Sequence, residues 1–406
     1  MTVLSRKARL DALKRRGAGT PEAKSEEELW DDMYQRIRGG NVLPILGGAI
    51  RLKRIFGLEH VEASSEAGAD VAAAAAPAAG GAAGGTEEEP FLEPESQILM
   101  DLAELWAGEL AYPLQETRNL ARVAQYNKIM SQDALQEKMR FLTFLKESIL
   151  DLAEKYDPSV QEGVPRLRQE YRSNDLSFAD IVTELDYPRY NDQPDPLRIL
   201  ARFRLPIYVT TSCFDFIERA LKAEGAANVR TQFCLWNMEE NQVVPELRPD
   251  PNYIPSREEP LVYHLFGLER YPQSLVLSED DYLDFLLALA KDFDTEKHLL
   301  PLQLRRGLEE SSLLMMGFRL ADWEFRVLFR GLINLLHGGL REANKSYSIA
   351  IQLNPRYQEP VADEAAASQY LKQYFEKSRF QVIWMSTDTF IQSLWDYWDR
   401  RRRGEI

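Results

Sequence analysis

Between Leu205 and Leu221 the chain changes period. Leu205-Pro206-Ile207-Tyr208-Val209-Thr210-Thr211 is an apolar, β-branched run of strand length with no charge before Ser212. Directly after it, Phe216, Ile217, Ala220 and Leu221 recur at helical spacing, with Glu218 and Arg219 on the other face. A strand that is apolar on both faces belongs inside a parallel sheet, and a helix following at once supplies the crossover that such a sheet needs. Asp215 stands where an N-cap or a first-turn acid would start that helix. The residues from Thr210 to Phe214 then form a strand-to-helix turn, the place where open α/β sheets hold their ligands.

The second half of the chain repeats the pattern. Strand-length apolar runs are Val229 to Trp236, Leu261 to Gly267, Ser311 to Phe318, Ser346 to Leu353 and Phe380 to Trp384. Helical periodicity follows over Tyr282 to Ala290, from Trp323 to Ile333, over Tyr370 to Phe375 and from Thr389 to Arg400. Ser278 with Asp281 three residues later reads as a capping box. Such alternation predicts an α/β chain with a mostly parallel sheet covered by helices on both faces. Upstream, Val42 to Leu46 is a short apolar strand running into Gly47-Gly48-Ala49, where glycines let a backbone approach a ligand closely. Residues 91 to 185 are helical in period throughout, so a helical subdomain is inserted after the first strand.

The expected organisation is a flexible lead-in over 1–28, one domain over 29–400 and a basic tail over 401–406. The domain would carry a low-complexity loop at 61–90, nearly all Ala and Gly from Val71 to Gly85, and a mainly helical insertion at 91–203. Apolar content of 45% with 28% charged residues is globular, and a net charge of -15 disfavours non-specific binding to nucleic acid. No apolar run approaches the ~20 residues of a membrane span, and no apolar core follows the basic N-terminus as in a signal peptide. Two cysteines, Cys213 and Cys234, make no disulfide framework, so the expected location is cytoplasmic. His60, His264, His298 and His337 lack metal-ligand spacing with each other or with the cysteines, so no metal site is expected. A catalytic Cys213 has no base placed near it in sequence and is read as a packed thiol.

Four segments, in order, resemble one family. Val42-Leu43-Pro44-Ile45-Leu46-Gly47-Gly48-Ala49 looks like a strand and glycine nucleotide loop. Tyr208-Val209-Thr210-Thr211-Ser212 looks like a Thr-Thr-Asn strand end. Val262-Tyr263-His264-Leu265-Phe266-Gly267 looks like a His-Gly turn, with an acidic helix start at Glu279-Asp280-Asp281. Leu313 to Phe318, then Asp322, looks like a strand ending in Gly-x-Ser-x-x-Asp. Over residues 29 to 400 the chain thus resembles the sirtuin-like domains of bacteria, the branch linked to anti-phage and other conflict systems. The resemblance implies a Rossmann-like sheet with a helical insertion, NAD as substrate or bound ligand, and cleavage of the nicotinamide–ribose bond in active members. It also implies a nucleotide site built from Gly47, Gly48, Ala49, Thr210, Thr211, Gly267, Gly317, Phe318 and Asp322. Partners would be the nucleotide and either other conflict-system proteins or further copies of the chain.

Three chemical positions depart from that pattern. Ser212 replaces the Asn, Phe214 replaces an Asp with Asp215 one residue later, and Phe266 replaces the His. His264, two residues upstream, points to the same face of a strand as Phe266 would, but ~6–7 Å deeper. The leading expectation is a nucleotide-binding domain with a degraded or rearranged hydrolase site. The alternative is an active NAD glycohydrolase using Ser212, Asp215 and His264. A lysine deacylase ranks third, since no four-cysteine zinc module is present.

Overall fold

The structure is a computed structural model that describes residues 26–56, 94–131, 133–174, 176–190, 194–237, 250, 252–292, 299–320, 322–333, 348–352 and 362–405. The 61–90 loop, His60, His298 and His337 lie outside the described residues. A seven-stranded sheet organises the rest, in the order β3-β4-β2-β1-β5-β6-β7, and every pairing is parallel. Its strands are β1 (Val42–Leu46), β2 (Ile207–Thr210), β3 (Arg230–Phe233), β4 (Leu261–His264), β5 (Ser312–Met316), β6 (Ser348–Gln352) and β7 (Phe380–Trp384). The expected α/β, Rossmann-like class is what the chain adopts.

Helices cover both faces, because the strands alternate their apolar side chains between two cores. Val42, Leu46, Tyr208 and Val262 enter one core; Leu43, Ile45, Val209 and Tyr263 enter the other. The first core is closed by α1 (Glu26–Gly39), by α2 (Ala49–Ile55), by a helical run before β2, and by the last helix. That run comprises α3 (Pro94–Glu109), α4 (Leu120–Ser131), α5 (Ala134–Tyr156), α6 (Val164–Asn174), α7 (Phe178–Glu184) and α8 (Pro196–Arg202). The crossovers of the second half are α9 (Phe216–Ala223), α10 (Glu279–Asp292), α11 (Leu302–Glu310), α12 (Trp323–Val327) with a π-helical turn at Leu328–Ile333, and α13 (Glu364–Glu376). The chain closes with α14 (Thr387–Arg403).

Local chemistry sets several element ends. Gly40, at φ 74°, turns the chain out of α1 into β1. Ser278 and Asp281 form the expected capping box, Asp281 N–H donating to Ser278 Oγ at 3.3 Å and Ser278 N–H to Asp281 Oδ2 at 3.2 Å. The first helix begins at Glu26, a few residues before the expected Leu29, and α14 runs through Arg401 to Arg403 before Gly404 ends it at φ 75°, in keeping with a tail that is the end of a helix. Four arginines in the last turn suit the negative end of the helix dipole, and Arg401 also reaches Asp31 of α1 at 2.7 Å.

Candidate functional site

The ends of the central strands lie level. His264 of β4 pairs with Thr210 of β2, Thr210 with Leu46 of β1, and Leu46 with Met316 of β5. β1 sits where successive strands diverge to either side, so the turns after β1, β2 and β5 meet at the switch point of the sheet. The three turns are in contact. Gly47 N–H donates to the Met316 carbonyl at 2.9 Å, and Thr211 N–H to the Leu46 carbonyl at 3.0 Å. A Cβ on Gly47 would fall on the Gly317 carbonyl, and a Cβ on Gly317, itself at φ +79°, would fall on the Ile50 side chain. Gly47 is therefore required by backbone packing, and Gly317 by its positive φ and the Ile50 side chain. Gly48 is different, since a Cβ there would meet only ordinary contacts, the nearest being Ser212 Cα at 3.7 Å.

Gly48 N–H donates to Glu324 Oε1 at 3.1 Å, and the Thr211 hydroxyl donates to the same oxygen. The carboxylate of α12 thus sits in the turn after β1, where the resemblance places a nucleotide's phosphates. Burial raises its pKa to about 7, against those two hydrogen bonds, with the nearby Asp322 adding to the rise. Beside it opens a cavity of about 200 Å³ lined by Arg118, Asn119, Tyr282, Arg319, Asp322 and Trp323, among others. Tyr282 and Trp323, both in its wall, stack with ring centroids 6.2 Å apart. Arg319 Nε is buried with no hydrogen-bond partner among the described residues, while its Nη1 stands 3.5 Å from Asp322. Asp322 begins α12 without capping it through its side chain, and burial lifts its pKa. Glu324 carried no signal that the sequence reading used, because its partners lie on segments 113 and 276 residues away.

His264 is wholly buried, and both ring nitrogens are engaged. Nδ1 lies 2.7 Å from the Ser212 carbonyl, which can only accept, so Nδ1 carries a proton. Nε2 lies 2.8 Å from Glu218 Oε1, which also accepts from the Thr231 hydroxyl at 2.8 Å. Burial alone would lower the His264 pKa, but the Glu218 carboxylate and the Ser212 carbonyl outweigh it and raise it. His264 lowers that of Glu218 against the opposing effect of burial. The two form a buried ion pair beneath the turn.

The other expected site residues divide. Ser212 is half-buried, and its hydroxyl accepts from Phe214 N–H at 3.2 Å, closing its own turn. Thr210 Oγ1 accepts from Ser212 N–H at 3.0 Å. Asp215 does occupy the N-cap of α9, but makes no cap hydrogen bond; its carboxylate pairs with Arg219 at 2.8 Å, and Arg219 also holds Asp180 of α7. Phe214 packs on Phe178 of α7 at 4.6 Å. Phe266 is buried edge-on against Tyr282 and Phe285 of α10, and Gly267, at φ +88°, has no room for a Cβ against the Ser274 carbonyl. Phe318 is buried near Phe325, and Ala49 is the buried first residue of α2. Cys213 has its thiol pKa pushed up by burial and by Glu269, away from the thiolate form. Among the described residues no three His, Cys, Asp or Glu side chains gather to hold a metal ion, and no helix is long and apolar enough to cross a membrane.

Residues 206–383 match the family described as the SIR2-like domain. The match opens at β2 and closes in β7, somewhat under half of the chain, so it takes in the Thr210–Ser212, His264–Gly267 and Gly317–Asp322 segments and leaves β1 with Gly47 and Gly48 outside. No curated protein matches the chain. SIR2-like domains generally bind NAD, and the groups present suit an anionic dinucleotide: an N–H and a hydroxyl converging on a carboxyl oxygen in one turn, with an orphaned guanidinium nitrogen beside it.

Proposed function

We propose that this chain is a sirtuin-like protein that binds NAD, or a closely similar dinucleotide, over the turns after β1, β2 and β5, in a site that has lost its hydrolytic groups. Gly48 N–H and the Thr211 hydroxyl would receive the diphosphate, and the cavity lined by Tyr282, Trp323, Arg118 and Arg319 would take an adjoining part of the ligand. The observation that carries the loss of catalysis is the pairing of His264. A general base needs a free lone pair within reach of its substrate, and His264 spends both nitrogens on Ser212 and Glu218 while wholly buried. Phe266, which stands where active relatives carry His, is packed into α10. A role in a bacterial, cytoplasmic conflict system, with other proteins of that system or further copies of the chain as partners, rests on the family resemblance.

The test is equilibrium binding of NAD by calorimetry at about pH 6 and about pH 8, with hydrogen exchange and nicotinamide release followed on the same samples. Saturable binding, slowed exchange across 46–51 and 210–216, and release no faster than in buffer are the expected results. Sustained release of nicotinamide and ADP-ribose would favour the alternative, a glycohydrolase that uses Ser212, Asp215 and His264. Absence of both heat and protection at either pH, up to millimolar NAD, overturns the nucleotide reading itself.

A further inference from the structure

Glu324 is a carboxylate held where an anionic ligand would sit, yet it belongs to the protein. Its Oε1 takes the Gly48 N–H at 3.1 Å and the Thr211 hydroxyl, which leaves neither donor for a phosphate. The residue stands at the start of a short helix that passes into a π-helical turn, Leu328–Ile333. The cavity of about 200 Å³ lies directly beside it, with Glu324 forming part of its wall, so the side chain has space to rotate into.

We propose that Glu324 is an intramolecular plug, a resident carboxyl group that competes with the nucleotide's phosphates for Gly48 and Thr211 and must swing into the adjoining cavity before the nucleotide binds. This rests on the nucleotide reading above and adds its regulation. In the plugged state Glu324 faces Asp322 on its own turn, Tyr282 on α10, and Arg319 and Arg118 across the cavity. Two of those groups can turn cationic nitrogens towards the displaced carboxylate, and Arg319 Nε has no other hydrogen-bond partner among the described residues. Displacement therefore exchanges a buried carboxyl that titrates at about 7 for one beside guanidinium groups, whose positive charge lowers its pKa. The sign follows from that exchange. Below about pH 7 the plug holds a proton that the displaced carboxyl gives up, so nucleotide binding releases a proton, and affinity falls as pH falls towards 5.

The experiment compares NAD binding to the full-length wild-type protein, Glu324→Ala and Glu324→Gln, in buffers of different ionisation enthalpy, so that calorimetry counts the protons exchanged. Glu324→Gln keeps the acceptor and the shape of the side chain, which guards against a folding defect in Glu324→Ala. The expected result is that Glu324→Ala binds NAD at least about tenfold more tightly than wild type. Wild type should release a proton at about pH 6, and both variants should release none. Equal affinity in wild type and Glu324→Ala, with no proton release, overturns the plug and leaves the nucleotide reading standing. Weaker binding by Glu324→Ala also overturns it, since Glu324 would then be a contact to the ligand. No binding by any of the three proteins overturns both.

Discussion

His264 shows how one residue can keep its place and change its task. In the sequence it lies two positions before Phe266, on the face of a strand that points towards the turns. In the structure that face is occupied from below by Glu218, the first-turn acid of α9, and the imidazole closes an ion pair with it inside the sheet–helix layer. Removing one partner of such a pair strands the other charge without water, at a cost of ~3–5 kcal/mol. His264→Ala should therefore lower unfolding stability by about that amount in urea titrations, whereas a base at an open site would cost little. A loss below about 0.5 kcal/mol would contradict the pairing. The pH window agrees. The raised pKa of His264 gives a contribution that is full below its unfolded value and lost as pH rises through the folded one, while the lowered pKa of Glu218 gives one lost only as pH falls through its own. The pair is intact between the lowered pKa of Glu218 and the raised pKa of His264. The residue was legible and the pairing was not, because Glu218 reads simply as the polar face of a helix until β4 is laid beside β2.

At the scale of elements, α5 carries an unusual load where it meets the entry to α10. Lys138 is buried, donates to the Leu275 carbonyl at 2.6 Å and pairs with Asp281 at 3.2 Å, so it secures the segment between β4 and α10. Glu137, its neighbour, is also buried, and neither carboxylate oxygen has a hydrogen-bond partner among the described residues. Burial and the nearby Asp281 push its pKa to about 8. Folding then holds a proton that the unfolded chain sheds near pH 4.5, so stability drains away as pH rises from there towards 8. Each pKa unit is worth about 1.4 kcal/mol, so Glu137→Gln should exceed wild type by a few kcal/mol at about pH 8 and match it near pH 5. Parallel pH–stability curves for the two proteins would show that Glu137 is solvated after all. Elements of this kind were readable from the sequence by period alone: the strands around Tyr208, Tyr263, Leu314 and Phe380, the capping box at Ser278, and the helical run before β2. Their ends were less so: the arginines that close α14 read as the solvated end of a helix, but the Asp31 partner of Arg401 lies on α1 and left no mark in the sequence.

At the scale of the whole molecule, one sheet separates two cores, and the helical run before β2 has no core of its own. Trp106, Phe144 and Leu145 of α3 and α5 belong to the same cluster as Tyr208, Val262 and Leu314 of the sheet. Lys146 of α5 also pairs with buried Glu269 at 2.9 Å, just after β4. We expect the helical insertion and the sheet to unfold together, as the single domain read from the sequence requires, with coincident urea transitions by tryptophan fluorescence and far-ultraviolet circular dichroism. An earlier fluorescence transition would mean that the insertion is a separate unit. What the sequence could not show at this scale was the meeting of Gly48 and Thr211, on two turns, with Glu324 of α12, which become neighbours only when β1 is placed between β2 and β5.

The contact between Gly47 and Gly317 bears on how such a protein can be recombined. Gly317 lies within the SIR2-like segment and Gly47 well before it, yet neither tolerates a side chain, because the Gly317 carbonyl walls off Gly47 while Ile50, just after the Gly47–Gly48 turn, walls off Gly317. A chimaera that joins the first 205 residues of one parent to the sheet of another inherits half of this joint from each. It will assemble only where both parents bring glycine to the seam, so the two turns travel as a single cassette although the chain encodes them far apart.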